Sequence, residues 1–168
     1  MTKITLCYPE KVKTMRSIAA HLKNLKTLVV VVFKTFLIRE NDDPPIKLLS
    51  VTHFSISFVD EISFEDPSFV MPNLKKLTLS GYSTHDRIVN YIEHFEKLEA
   101  VELFIVNYSA IECIKRLPNI KKFTTTIYED HFGSLKNIIE SFDGKSKLQT
   151  LEIVFFEKKE EDIRNYEK

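Results

Sequence analysis

Apolar residues recur along this chain with one fixed spacing, apolar-x-x-apolar-x-x-apolar-x-apolar. Residues 71–80, MPNLKKLTLS, and residues 117–126, LPNIKKFTTT, both carry it, although Thr125 fills the last apolar slot of the second copy. Alternation of apolar and polar residues at the end of the pattern is typical of a short β-strand that buries one face. The pattern therefore predicts that each copy ends in a strand.

Five further segments carry all or part of the same pattern. Their apolar slots are Ile4 and Leu6; Leu22, Leu25, Leu28 and Val30; Leu48, Val51, Phe54 and Ile56; Phe95, Leu98, Val101 and Leu103; and Leu148, Leu151 and Ile153. Successive copies lie 22 to 28 residues apart. Because a single strand cannot bury its apolar edge alone, stacked copies would share one continuous core. We therefore expect about seven short strands, side by side and parallel.

The segments between the strands predict how the chain returns. Four of them space apolar residues at helical intervals, and these are residues 12–22, 83–95, 109–117 and 132–142. Residues 34–47 and 59–70 contain RENDDPP and DEISFEDPSF, which favour irregular or short 3₁₀ returns. The expected organisation is an α/β solenoid domain over residues 1–157, followed by a polar C-terminal tail or helix over residues 158–168.

These repeats resemble the leucine-rich-repeat superfamily over nearly the whole chain. LPNIKKF, MPNLKKL and SKLQTLEI are similar to the irregular repeats that follow an F-box in F-box/leucine-rich-repeat proteins. The resemblance implies a leucine-rich-repeat solenoid, a curved parallel sheet with helices or irregular returns on its convex side. The Asn that usually follows the L-x-L unit is missing, and no F-box precedes the first repeat. We therefore expect missing upstream sequence or a partner to cover the N-terminal end, with a self-capped domain as the alternative.

Composition excludes several classes of partner. Lys+Arg and Asp+Glu number 24 each, so the formal net charge is zero and a nucleic-acid partner is not expected. The longest apolar run, LVVVVF at residues 28–33, is too short to cross a bilayer, so no membrane partner is expected. No signal peptide is recognisable, and the only cysteines, Cys7 and Cys113, do not form a disulfide framework. These features favour a cytoplasmic or nuclear location.

The sequence contains no motif that predicts catalysis. Its five histidines show no zinc-ligand spacing, and its three glycines cannot form a Gly-rich phosphate loop. Carboxylate pairs such as Asp42–Asp43 lie in loop-like segments, where solvated charge is expected. We therefore expect a protein that is not an enzyme, with no catalytic residue, no cofactor and no metal.

The residues between the inward apolar slots would form the concave face of the sheet. Its mixed polarity suits a protein or peptide partner better than a phosphate backbone. Phe104 is an aromatic residue of the kind that anchors protein interfaces. The partner-binding residues predicted on this face are Lys76, Thr78, Ser80, Glu102, Phe104, Lys122, Thr124, Thr126 and Glu152.

The expected function is a non-catalytic scaffold that binds a protein partner on the concave face. The resemblance implies substrate recognition within an F-box type ubiquitin-ligase receptor. Two alternatives stay open. One is a receptor-type ligand-binding leucine-rich-repeat module, which would predict a signal peptide and cysteine-rich caps. The other is a non-functional gene fragment, which would fold poorly.

Overall fold

A computed structural model describes the repeats and part of their connections. The described residues are 2–7, 12–32, 46–58, 69–80, 92, 95–104, 114–128, 133–142 and 147–156. Their strands are β1 (Lys3–Cys7), β2 (Thr27–Val32), β3 (Ile46–Lys47), β4 (His53–Phe58), β5 (Phe69–Val70), β6 (Lys76–Ser80), β7 (Ala100–Phe104), β8 (Lys122–Tyr128) and β9 (Thr150–Phe156). Their helices are α1 (Val12–His21) and α2 (Gly133–Phe142).

Seven strands form one parallel sheet in the order β1-β2-β4-β6-β7-β8-β9. The register aligns the repeats slot for slot, because Phe54 pairs with Leu28 on one side and with Leu77 on the other. Each strand of this sheet lies beside the strands of the preceding and following repeats, as in a solenoid. The structure confirms the predicted sheet of seven parallel strands.

The core lies on the face of this sheet that carries the repeated apolar slots. Leu28, Leu77 and Phe123 are completely inaccessible to solvent. The ring of Phe123 contacts Phe142 of α2, with centroids 5.5 Å apart, so the helix covers the core on that side. In β1, at the edge of the described sheet, Ile4 is only partly buried because it has one neighbouring strand.

Backbone hydrogen bonds join the repeats at the same place in each copy. The carbonyl of Thr52 accepts from the N–H groups of Lys75 and Lys76, at 2.8 and 3.0 Å. The carbonyl of Lys75 accepts in the same way from Glu99 and Ala100, at 2.8 and 2.9 Å. The other carbonyls that accept two bonds are those of Thr2, Lys26, Glu99 and Lys121. Because two consecutive residues share one acceptor, both can project outward, and Lys75 and Lys76 are both exposed.

Two of the four predicted helical returns are confirmed by α1 and α2. The other two lie mainly outside the described residues, which include a helical Ile92 and the helical residues 114–116. Ile92 and Ile114 are completely buried and join the core cluster. The predicted tail over residues 158–168 and Cys113 lie outside the described residues.

The two connections predicted to be irregular end in short strands. β3 and β5 pair in parallel, with Ile46 opposite Phe69. Next to them, the N–H of Leu48 donates to the carbonyl of Val70 at 2.9 Å. The prediction of irregular or 3₁₀ structure is therefore wrong for these four strand residues. The physical reason is that β-prone side chains precede the first slot of adjacent repeats, where their backbones can satisfy each other's hydrogen bonds.

Candidate protein-binding face

The face of the sheet opposite the core, here called the open face, presents three columns of side chains. The start column is Lys3, Thr27, His53, Lys76, Ala100, Lys122 and Thr150. The middle column is Thr5, Val29, Ser55, Thr78, Glu102, Thr124 and Glu152. The end column is Cys7, Val31, Ser57, Ser80, Phe104, Thr126 and Val154. All the predicted partner-binding residues lie in these columns on four adjacent strands, β6 to β9.

A Lys–Thr–Glu unit joins β6 to β7 across the open face. The ammonium of Lys76 lies 3.8 Å from Oε2 of Glu102. The hydroxyl of Thr78 donates to the same carboxylate oxygen at 3.3 Å. The carboxylate therefore has a cation and a hydroxyl as partners, both supplied by the preceding strand.

A second Lys–Thr–Glu unit repeats this arrangement between β8 and β9. The ammonium of Lys122 lies 2.8 Å from Oε2 of Glu152, and the hydroxyl of Thr124 donates to that oxygen at 3.0 Å. The hydrogen bond from Lys122, followed by that from Thr124, holds the pKa of the Glu152 carboxyl below its ordinary value. Exposed ion pairs of this kind add little to stability.

The end column places two exposed apolar side chains on either side of a buried threonine. Phe104 is 39% exposed and Val154 is 46% exposed, whereas Thr126 is only 5% exposed. In the register Thr126 pairs with Phe104 on one side and with Val154 on the other. The sequence predicts Thr126 as part of the accessible binding surface, and that expectation is wrong about its exposure.

The part of the open face on β1, β2 and β4 has different chemistry. Its described side chains include no carboxylate, and its basic side chains are those of Lys3 and His53. The hydroxyl of Ser57 is hydrogen-bonded to that of Ser80 at 2.6 Å, which links this part to β6. Cys7 is a free, exposed thiol at the end of β1. The exposed aromatic and the paired charges of the open face are therefore confined to β6–β9 among the described residues.

Sequence reasoning missed a ladder of side chains at the turns that precede the strands. The amide of Asn73 donates to the carbonyl of Leu49 at 2.8 Å, and that of Asn119 donates to the carbonyl of Glu96 at 2.9 Å. The same turn position links neighbouring repeats through Ser50, Lys97 and Lys147. The Pro-Asn dipeptide shared by MPNLKKL and LPNIKKF is the sequence signal for it. The Asn of this dipeptide therefore belongs to a ladder that links neighbouring repeats.

A carboxylate bridges two lysines on the edge of the sheet next to these turns. Oε2 of Glu99 lies 3.0 Å from the ammonium of Lys121, and Oε1 lies 3.2 Å from that of Lys75. The hydrogen bond from Lys121 and then that from Lys75 lower the pKa of the Glu99 carboxyl. Glu99 therefore connects three successive repeats.

The described residues contain no group of three or more His, Cys, Asp or Glu side chains that could hold a metal ion. Within the same residues, no helix is both long enough and apolar enough to cross a membrane. Comparison of the chain with protein-family models, with curated proteins and with solved structures finds no significant match. The open face must therefore be interpreted from its own geometry.

Proposed function

We propose that this chain is a non-catalytic protein-interaction scaffold, a leucine-rich-repeat module that binds a protein partner on the open face of its sheet. The observation that supports this most directly is the position of Phe104. This aromatic side chain is 39% exposed beside two units of paired charge on adjacent strands. Exposed aromatic residues surrounded by polar groups are typical of the centres of protein interfaces.

The state of the carboxylates supports a binding role over a catalytic one. The side chains of Glu102 and Glu152 are 34% and 49% exposed, and each already accepts from a Lys and a Thr of the preceding strand. General acid–base catalysis depends on carboxyl groups whose pKa lies near the working pH, which usually requires burial. The pKa of Glu152 is instead lowered by its partners. Both carboxylates suit electrostatic complementarity with a partner.

We further propose a more specific role, in which this chain recognises the substrate of an F-box type ubiquitin ligase. It depends on the resemblance of the repeats, and in that role the open face would hold the protein to be ubiquitinated. A pull-down of the longest native transcript product with the ligase adaptor tests it. Absence of adaptor binding would remove the ligase role and leave the scaffold role to the experiment below.

Photo-crosslinking from the open face tests the scaffold role. A photoreactive phenylalanine analogue replaces Phe104 in the full chain, and in a control chain it replaces Ile139, an exposed apolar residue of α2. We expect a protein that crosslinks to position 104 and not to position 139. With that protein purified, Phe104→Ala should weaken binding at least tenfold, since it truncates a central anchor. Ile139→Ala should leave the affinity unchanged.

Unchanged binding by two variants of the open face would contradict the proposal. If Phe104→Ala and Lys122→Glu both leave the affinity of the crosslinked protein unchanged, the open face of β6–β9 is not the binding surface. Circular dichroism of each variant shows whether the fold is retained, and both changed side chains are substantially exposed.

A further inference from the structure

Lysine side chains gather at the place where the strands β6–β9 begin. This place, here called the turn edge, comprises residues 73–76, 97–100, 119–122 and 147–150, which end at the first residue of each strand. Its lysines are Lys75, Lys76, Lys97, Lys121, Lys122 and Lys147, and Glu99 is its one carboxylate. In contrast, no described residue that follows the middle column on these strands is charged. The positive charge of these strands is therefore concentrated at the turn edge.

Two of the six lysines differ from the others in their partners. Four lysines face a carboxylate, because Glu99 and the two Lys–Thr–Glu units supply one. The ammonium of Lys97 instead donates to Oδ1 of Asn73 at 2.8 Å, and that of Lys147 donates to the carbonyl of Pro118 at 2.6 Å. Among the described residues, neither ammonium is paired with a carboxylate. Because an ammonium has three N–H donors, each of these two can bind a further acceptor.

Lys97 and Lys147 occupy the same position of their repeats. They lie three residues before Ala100 and Thr150, which are the two neighbours of Lys122 in the register. The two lysines are therefore two strand spacings apart, or about 10 Å. Each is hydrogen-bonded to the turn of the preceding repeat, and both are exposed. The turn edge thus presents two cations without a carboxylate at corresponding positions.

Building on the proposed function, we propose that the partner bound on the open face places an acidic segment on the turn edge, where its carboxylates bind Lys97 and Lys147. Hydrogen bonds between ammonium and carboxylate groups are stronger than those between neutral groups. Four extended residues span about 13 Å, so a short run of Asp and Glu reaches both lysines. Lys76 and Lys122 belong both to the turn edge and to the open face, so one protein can contact both surfaces.

A nucleic acid fits the turn edge less well than an acidic protein segment. Proteins that bind single strands combine positive charge with aromatic side chains that stack on the bases. Arginine is favoured for phosphate recognition because its planar group donates two parallel hydrogen bonds. The sixteen residues of the turn edge, all of them described, include neither an aromatic residue nor an arginine.

Three probes test this inference on the full chain. The first is an acidic peptide of alternating Glu and Ser, the second is the same peptide with Gln in place of Glu, and the third is a thymidine oligonucleotide with the net charge of the first. We expect the acidic peptide to bind at least tenfold more tightly than either other probe in fluorescence titrations at low salt. Its affinity should fall as salt is added, because exposed charges are screened.

Charge-reversal variants locate the acidic peptide on the chain. Lys97→Glu and Lys147→Glu should each weaken its binding at least fivefold. Lys136→Glu is the matched control, because Lys136 is an exposed lysine of α2 outside the turn edge, and it should change the affinity less than twofold. Lys97→Gln and Lys147→Gln retain a side-chain N–H donor, so they keep the test valid if a reversal disturbs folding, and each should weaken binding more than twofold.

The protein crosslinked from position 104 separates this inference from the proposed function. Lys97→Glu and Lys147→Glu should each weaken that protein at least fivefold. If it binds both variants as tightly as the unchanged chain, the open face remains the binding surface and the acidic segment is rejected.

Two results with the probes would also reject the inference. One is an acidic peptide that Lys97→Glu and Lys136→Glu weaken equally. The other is tighter binding of the oligonucleotide that is lost in Lys97→Glu, which would assign the turn edge to nucleic acid. No crosslink from position 104, together with peptide binding that depends on Lys97, would reject the proposed function and keep the turn edge as a site for acidic segments.

Discussion

The half of the main sheet formed by β1, β2 and β4 and the half formed by β6–β9 share one kind of interior. Phe54 in the first half and Phe123 in the second occupy the same slot and are 2% and 0% exposed. In both halves, strands begin where one carbonyl accepts hydrogen bonds from two consecutive N–H groups. Their open faces differ, since the Lys–Thr–Glu units and Phe104 lie in the second half alone among the described residues.

This difference separates what the fold needs from what it does not need. The half with no carboxylate on its open face buries the same apolar slot as the half with two, so burial of this slot does not depend on the charges. Exposed ion pairs contribute little to stability in any case. The paired charges of the second half are therefore not explained by stability, and they are the part of the surface to which the proposed binding role applies.

Matched core truncations would test the shared interior and have the largest expected effect. Phe54→Ala and Phe123→Ala should each lower the free energy of unfolding by about 3–5 kcal/mol, because each leaves a cavity in the core. Urea unfolding followed by circular dichroism measures both. We expect the two losses to agree within about 1 kcal/mol. A much smaller loss at one site would show that the halves are not equally packed.

The second half contains one polar defect in its interior. Thr125 is completely buried between Leu103 and Ile153 in the register, and its hydroxyl has no hydrogen-bond partner among the described residues. Thr125→Val removes that group at almost constant shape, so it should raise the free energy of unfolding by about 1–2 kcal/mol. Thr124→Val, on the open face, is the control and should not stabilise the chain. A loss of stability in Thr125→Val would mean that the hydroxyl has a partner.

The interior was predictable from sequence because one local rule is applied in every repeat. The spacing identified Leu77, Val101 and Phe123 as inward residues, and even placed Thr125 in an apolar slot. Parallel stacking then fixes which residues are neighbours on both faces. The register of the middle column, from Thr5 to Glu152, follows from that stacking without further information.

Other features depend on contacts that no periodicity encodes. Thr126 is buried in the sheet, and its neighbours in the register, Phe104 and Val154, belong to other repeats. The two-residue strands β3 and β5 are too short to show alternation. The ion pair of Lys122 with Glu152 depends on the side-chain conformations of both residues, and the order of residue types in a column does not specify these conformations. Sequence therefore predicted which residues share the candidate surface, but it did not predict the burial of Thr126 or the ion pairs.

Removal of the turn ladder tests how the two halves are connected. Asn73 belongs to the repeat of β6 and donates to Leu49 in the repeat of β4, so it bridges the halves, whereas Asn119 acts within the second half. Asn119→Ala should lower the free energy of unfolding by about 1 kcal/mol, the usual net value of one hydrogen bond. Asn73→Ala should lower it somewhat more, because it also removes the acceptor of the bond from Lys97.

Asn24 provides the matched control for both variants. It occupies the same turn position in an earlier repeat, and no side-chain hydrogen bond of Asn24 is found among the described residues. Asn24→Ala should therefore change stability less than either ladder variant in the same urea titration. An equal loss at all three positions would point to a local effect of Asn on the turn and not to a link between repeats.

The smallest expected difference between the halves is in how acid changes the free energy of unfolding. The pKa values of Glu99 and Glu152 are lowered from 4.5 by their lysine partners, and both residues lie in the second half. A carboxyl whose pKa is depressed in the folded state stabilises that state above its ordinary pKa of 4.5, and this contribution is lost as the pH falls through the depressed value. Glu99→Gln should therefore be less stable than the unchanged chain at pH 7, and the gap should narrow below pH 4.5.

Salt and a neighbouring carboxylate provide the controls for this acid effect. Because the ion pairs of Glu99 are exposed, the gap at pH 7 should also shrink in about 1 M salt, where charges are screened within about 3 Å. Glu96 is exposed on the same edge and has no ion pair among the described residues, so Glu96→Gln should show no comparable gap. Urea titrations at pH 7 and pH 3 measure all of these differences. A gap for Glu99→Gln that is independent of both pH and salt would mean that Glu99 acts through packing and not through its ion pairs with Lys75 and Lys121.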